Sequence, residues 1–205
     1  MGVPPARTGH PTGVTESQRD VVDLLSADHR EFDRIFRELE QLMGSTDPDA
    51  LARKRALVDE VSIGIVKHSV AEETQVYPRV QAEVDAEEAE RAKHDHDSAE
   101  RTMKQLERLD PADERYDVEI RTLIHEIRTH VEHEEGRMFT ELRASFDRAE
   151  LVRMAEAVER VKTIAPTRPH PLTPNEGVVR TVVGPVAALV DHLRDAVSGR
   201  GKQDT

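Results

Sequence analysis

The stretch "IVKHSVAEETQVYP", residues 65–78, decides the fold. It reads as helix, yet it sets His68 and Glu72 four residues apart in line with Val61 and Ile65, on what should be the buried face. The chain then repeats itself. "IRTHVEHEEGRMFT", residues 127–140, carries His130 and Glu134 at the same spacing. Val61, Ile65, His68, Glu72 and Tyr77 match Leu123, Ile127, His130, Glu134 and Phe139 at an offset of 62 (68 to 130). A polar pair inside an apolar stripe, used twice, needs a physical reason.

Working outward, the same design covers two more segments. His29, Phe32, Phe36 and Leu39 parallel His96, Ala99, Met103 and Leu106 at an offset of 67 (29 to 96). Steps of three and four place Val22, Leu25, His29, Phe32, Phe36, Leu39 and Met43 on one face of a first helix. Val58, Val61, Ile65, His68, Glu72 and Val76 line the second, and Ala89, Ala92, His96, Ala99, Met103 and Leu106 the third. Ile120, Leu123, Ile127, His130 and Glu134 line the fourth. Each helix carries one histidine in its core stripe. Two matched helical hairpins that bury such stripes form an all-α, up-down-up-down four-helix bundle.

Punctuation sets the expected boundaries. "TESQ" (15–18) reads as a capping box that starts the first helix near Thr15, and Gly44 stops it. Asp47-Pro48 and Asp110-Pro111 read as starts of the second and fourth helices. Pro78 is expected to kink the second. Asp85 can cap the third helix, and Asp147 a short fifth one ending near Ala165. The expected domains are a disordered segment over 1–14, the bundle over 15–165, and a Pro-rich linker with an amphipathic C-terminal extension over 166–205.

Composition narrows the function. The net charge of −12 gives no basic footprint for nucleic acid. No run reaches 18 apolar residues, so no membrane span is expected. The valine-rich piece at 178–190 is expected to dock on the bundle or on a second subunit of a homo-oligomer. The absence of cysteine removes disulfides, thiolate metal sites and cysteine nucleophiles. With no apolar leader at the N-terminus, a cytoplasmic protein is the expectation.

Counting residues from the helix ends puts His29, His68, His96 and His130 within about 9 Å of one level, at roughly 1.5 Å per residue. Two bare glutamates in an aliphatic core would cost several kcal/mol each, order of magnitude. Metal ions would neutralise them. Nitrogen and oxygen donors without sulfur suit iron or manganese, with zinc and copper compatible. Two His-x-x-x-Glu pairs facing each other suggest a dinuclear site. Of about twelve positions on two six-coordinate ions, four histidines, two bridging glutamates and one bridging oxo or hydroxo group fill about ten.

"DHREFDRIF", "KHSVAEETQVYP", "HDHDSAERTM" and "THVEHEEGRMF", in this order over about residues 20–165, resemble the hemerythrin-like (HHE cation-binding) family in its actinobacterial form. The resemblance implies two iron ions, oxo- or hydroxo-bridged, and chemistry with O₂, hydrogen peroxide or nitric oxide. Carried over by position, the implied ligands are His29, His68, Glu72, His96, His130 and Glu134. Oxygen-carrying hemerythrins have two histidines four apart on the third helix. Here Ala92 and Glu100 stand four residues from His96. That departure shifts weight from reversible O₂ carriage towards reaction with peroxide or nitric oxide, or iron-linked sensing. A non-enzymatic iron sensor or store, or an interaction module with a vacant site, are the alternatives.

Neighbouring residues carry their own expectations. Glu73 and Glu135 are read as solvated, with ligation as the alternative. His133 is read as exposed or just outside the metal's ligand set, and His94 and His125 as surface. Tyr77 is read as a core or rim residue, with a hydrogen bond near the metal as its alternative.

Overall fold

In a computed structural model, residues 19–165 are described, and within them the chain is all helical. The expectations for residues 1–14 and for the 166–205 extension lie outside the described residues.

Helix α1 (Val21–Leu42) starts later than the sequence suggests. Asp20 is its N-cap, and its carboxylate accepts from the Asp23 N–H while the Asp23 side chain accepts from the Asp20 N–H; the box at 15–18 lies outside the described residues. Arg143 also donates to Asp20, at 3.0 Å, which ties this end to the second hairpin. Gly44 stops the helix with φ of 76°, a left-handed conformation that glycine adopts without strain.

Helix α2 (Pro48–Ala71) opens as expected, with Asp47 accepting from two backbone N–H groups ahead of Pro48. It passes through a π turn (Glu72–Val76) into α3 (Tyr77–Glu83). The disturbance expected at Pro78 therefore takes the form of a widened turn just before it. Asp85 caps α4 (Ala86–Arg108). Asp110-Pro111 does not open the fourth helix. Asp110 accepts from the Ala112 N–H at 2.8 Å in a turn, and Asp113 caps α5 (Glu114–His133). A second π turn (Glu134–Met138) leads into α6 (Phe139–Ser145). Asp147 closes a capping box on α7 (Arg148–Ile164).

The hairpins α1–α2 and α4–α5 pack on each other as antiparallel pairs, and α7 lies against α1 and α2. Every stripe residue expected in the core is buried except Met43, which is partly covered. The core falls into two apolar clusters. One holds Leu25, Val76, Val80, Ala92, Leu142 and Val158. The other holds Phe32, Leu39, Ile65, Met103, Leu123 and Ile127. His29 lies between Leu25 and Phe32 on α1, so the polar layer sits between the two clusters. Among the described residues no helix is long and apolar enough to cross a membrane.

Candidate metal centre

The repeated His-x-x-x-Glu spacing puts each pair on one face, one turn apart. The π turns begin at the glutamates themselves. The Tyr77 N–H bonds to the Glu72 carbonyl and the Phe139 N–H to the Glu134 carbonyl, i to i+5. The wider turn keeps residue i+5 on the face of residue i. Tyr77 and Phe139 are thereby brought back toward the centre, where an unbroken α-helix would carry them well around the cylinder.

The six expected residues all meet. His29, His68, His96 and His130 are each at most 6% exposed, and Glu72 and Glu134 are 0% and 1% exposed. His29 Nε2 lies 3.1 Å from His68 Nε2, and His96 Nε2 lies 3.2 Å from His130 Nε2. Glu72 Oε2 is 3.1 Å from His68 Nε2 and 3.3 Å from His96 Nε2. Glu134 Oε2 is 3.4 Å from both His29 Nε2 and His130 Nε2. One carboxylate oxygen from each hairpin thus touches imidazoles of both hairpins. Two groups of donor atoms could each hold a cation: His29, His68, Glu72 and Glu134, and then Glu72, His96 and His130.

Four outer carboxylates face the other ring nitrogens. Asp28 lies 3.0 Å from His68 Nδ1, Glu135 lies 2.9 Å from His29 Nδ1, and Glu73 lies 2.9 Å from His96 Nδ1. Asp95 stands farther off, 3.7 Å from His130 Nδ1. A carboxylate only accepts, so the Nδ1 atoms of His29, His68 and His96 carry protons and donate them. In the neutral imidazole the Nε2 atom is then a bare lone pair. Lone pairs facing each other at 3.1 Å, beside anionic oxygens, require a positive charge between them. Glu72 Oε1 and Glu134 Oε2 are buried without a hydrogen-bond partner. This all-acceptor set of nitrogen and oxygen atoms fits divalent transition metals, and carboxylates behind ligating imidazoles fix their tautomer.

Without metal, protons compensate the charge. Burial opposes a charged His68, but Glu72 and Asp28 prevail and push it up to about 9. Burial likewise opposes a charged His130, but Glu134 and Asp95 push it up to about 10. Burial and the Glu134 charge favour a protonated Glu72, yet His68 and His96 outweigh them and hold it down to about 2. Asp28 is held below the ordinary carboxylate range: burial works against this, but His68 and Lys162 overcome it.

Tyr77 is fully buried, and its hydroxyl lies 2.8 Å from Glu134 Oε1, 3.1 Å from Glu72 Oε2 and 3.3 Å from His96 Nε2. Burial and the two glutamate charges raise its pKa well above the ordinary phenol value, so it stays a donor. Tyr77 is buried as the core reading expects, and its hydroxyl also makes the hydrogen bonds at the centre that were the alternative. Phe139, its match in the second hairpin, has no hydroxyl and stacks on His29 with ring centroids 5.7 Å apart.

Glu135 is exposed as expected and Glu73 is half-buried, but the solvated reading leaves out their contacts. Both are partly exposed, at 28% and 43% of the side chain, but both are committed to imidazole Nδ1 atoms across the bundle. His94 and His125 are on the surface as expected, and His133 is exposed beside Asp95. Ala92, one turn from His96, packs in the apolar cluster and supplies no donor. Sequence reasoning missed Asp28 and Asp95. Their signal was present: an Asp-His dipeptide at 28–29 and again at 95–96. An open groove of about 680 Å³ between α1 and α5, walled by Phe32, Phe36, Ile127 and Val131, reaches His29 and Glu135.

Comparison with known proteins bears on the family and the fold. The sequence pattern of the hemerythrin HHE cation binding domain matches residues 20–142. A hemerythrin-like protein of Schizosaccharomyces pombe is 26% identical over 178 residues, 85% of each chain. A DNA nickase of Nostoc sp. is 23% identical over 131 residues, covering 64% of this chain but only 36% of that longer protein. The crystal structure of an HHE cation binding domain-containing protein from Mycobacterium kansasii shares the fold, with a TM-score of 0.59 at 18% identity. That match covers 71% of this chain and 88% of the other.

Proposed function

The chain belongs to the hemerythrin HHE cation-binding domain family, and from that premise we propose that its buried cluster holds two iron ions through His29, His68, Glu72, His96, His130 and Glu134. The loaded centre binds or reacts with a small oxidant: O₂, hydrogen peroxide or nitric oxide. The observation that carries this reading is the convergence of four imidazole Nε2 atoms and two buried carboxylates, with outer carboxylates accepting from Nδ1 of His29, His68 and His96. Iron in such a site supplies redox change and Lewis acidity.

The protein's own groups do the rest. His29 with His68, and His96 with His130, form two donor pairs. Glu72 and Glu134 span both pairs and balance charge. Asp28, Glu73 and Glu135 hold three imidazoles in the tautomer that leaves Nε2 free. The Tyr77 hydroxyl donates toward the glutamates and orients them. Apolar layers above and below exclude bulk water, and the groove between α1 and α5 supplies an approach for a small ligand on the His29 side. The lack of a donor at Ala92 favours reaction or sensing over reversible O₂ carriage.

Metal analysis of the purified full chain, with absorption spectra before and after peroxide and nitric oxide, tests the proposal. The expected result is two irons per chain and near-ultraviolet charge-transfer bands that change with the oxidant. No bound metal, together with no loss of stability on chelation, would sink the metal assignment. Slow metal exchange without any reaction would favour an iron sensor or store.

A further inference from the structure

The two halves of the centre are matched in sequence; besides Tyr77 in place of Phe139 and the longer Asp95–His130 separation, the carboxylates behind their imidazoles differ in one paired cation. In the α1–α2 half, the Asp28 carboxylate that faces His68 Nδ1 also receives the Lys162 ammonium from α7, at 2.6 Å to each oxygen. In the α4–α5 half, the counterpart Asp95 has no Lys or Arg paired with it among the described residues. Its Oδ2 and His130 Nδ1 are buried without a hydrogen-bond partner. Besides His130, 3.7 Å away, the exposed His133 approaches it, at 3.8 Å. The repeat explains why this happens. Among the described residues α7 has no copy beside the second hairpin, so its cation reaches one half alone.

Charge around the imidazoles is therefore uneven. Asp28 and Glu135 with Lys162 leave the His29–His68 half with one net negative charge outside its donors. Asp95 and Glu73 give the His96–His130 half two. A carboxylate behind a ligating imidazole strengthens it as a donor, and a cation bound to that carboxylate weakens this effect. We propose that Lys162 makes the two metal positions inequivalent: the His96–His130 position binds a divalent cation more tightly, and Lys162 sets the gap by neutralising Asp28. Lys162 is a positioning residue that acts through Asp28 and His68. This inference rests on the two-ion reading of the site.

The test is a titration of the metal-free full chain with Zn²⁺ against a chromophoric chelator, which reads stepwise affinities without any turnover. The wild type should bind in two steps, with His130→Ala removing the tight one and His68→Ala the weak one. Lys162→Met should strengthen the weak step by about tenfold and narrow the gap, while Lys162→Arg keeps it. Should Lys162→Met loosen α7, His133→Lys provides an independent check at an exposed position. It places a cation beside Asp95 and should weaken the tight step. Two ions bound with equal affinity, loss of the tight step in His68→Ala, or a gap unchanged in both Lys162→Met and His133→Lys would overturn the inference and leave the two-ion site standing. A wild-type chain that binds no Zn²⁺ and no iron overturns both.

Discussion

The Tyr77 hydroxyl reaches across the bundle to Glu134 Oε1 at 2.8 Å, joining the first hairpin to the acid of the second. It is also 3.1 Å from Glu72 Oε2, so one proton serves two buried carboxylates. Tyr77→Phe makes this position like Phe139 and removes the donor. The metal-free protein should lose about 1–3 kcal/mol in urea unfolding, the cost of leaving a buried charged acceptor unmet. Metal content should stay at the wild-type level. An unchanged unfolding midpoint would show that the hydroxyl does not stabilise the pair.

Stability of the metal-free protein should depend on pH in a defined direction. His68 and His130 are raised from 6.5 to about 9 and about 10, so their contribution is fully present below 6.5 and is lost as pH rises through those values. Glu72 is lowered from 4.5 to about 2, so its contribution is present above 4.5 and is lost as pH falls toward 2. Melting temperature should therefore peak between about pH 4.5 and 6.5. Metal needs neutral imidazoles, so loading should release protons and move the optimum upward. Melts across pH 4–10, with and without metal, check this; a metal-free optimum above pH 8 would contradict it.

Lys54 is 2% exposed and donates to Asp117 Oδ1 at 2.7 Å, linking α2 to α5. Asp117 also accepts from the Gly44 N–H at 2.7 Å and stays partly exposed. Asp117→Ala strands a buried ammonium and should cost about 3–5 kcal/mol. Lys54→Met leaves a carboxylate with a remaining donor and some water, and should cost less. Urea unfolding of the two variants gives the order directly, and the reverse order would refute this account.

Gly64 lies inside α2, where alanine would ordinarily gain about 1 kcal/mol of helix propensity. A Cβ there would meet Phe32 Cε1 at 2.8 Å. Phe32 in turn stands edge-on to His68, with ring centroids 5.4 Å apart. Gly64→Ala should therefore destabilise the protein by about 1–3 kcal/mol through overpacking. A stabilised variant would mean that Phe32 moves aside freely.

Some expectations failed for local reasons. Helix α1 begins at Val21 because Asp23 completes a capping box with Asp20 and Arg143 holds Asp20 from another helix. Asp110-Pro111 matches Asp47-Pro48 in sequence. Asp113 lies three residues later and caps α5 instead, leaving Asp110 to fold the turn. The π turns left no periodic signal, since a single inserted residue looks like noise in a 3.6-residue pattern.

By itself, the sequence determined what depends on helix geometry. Spacings of three and four put His29, His68, Glu72, His96, His130 and Glu134 on inward faces, and the repeat set them at one level. Tertiary structure decided what depends on the angle between helices and on rotamers: that Glu135 serves His29 and Glu73 serves His96 across the bundle, that Tyr77 reaches both glutamates, and that Lys162 reaches Asp28. Apart from Tyr77 and Glu72, which share one π turn, these are contacts between residues 23 to 134 positions apart. A spacing rule covers one turn of one helix, and these pairs are set by how the helices pack.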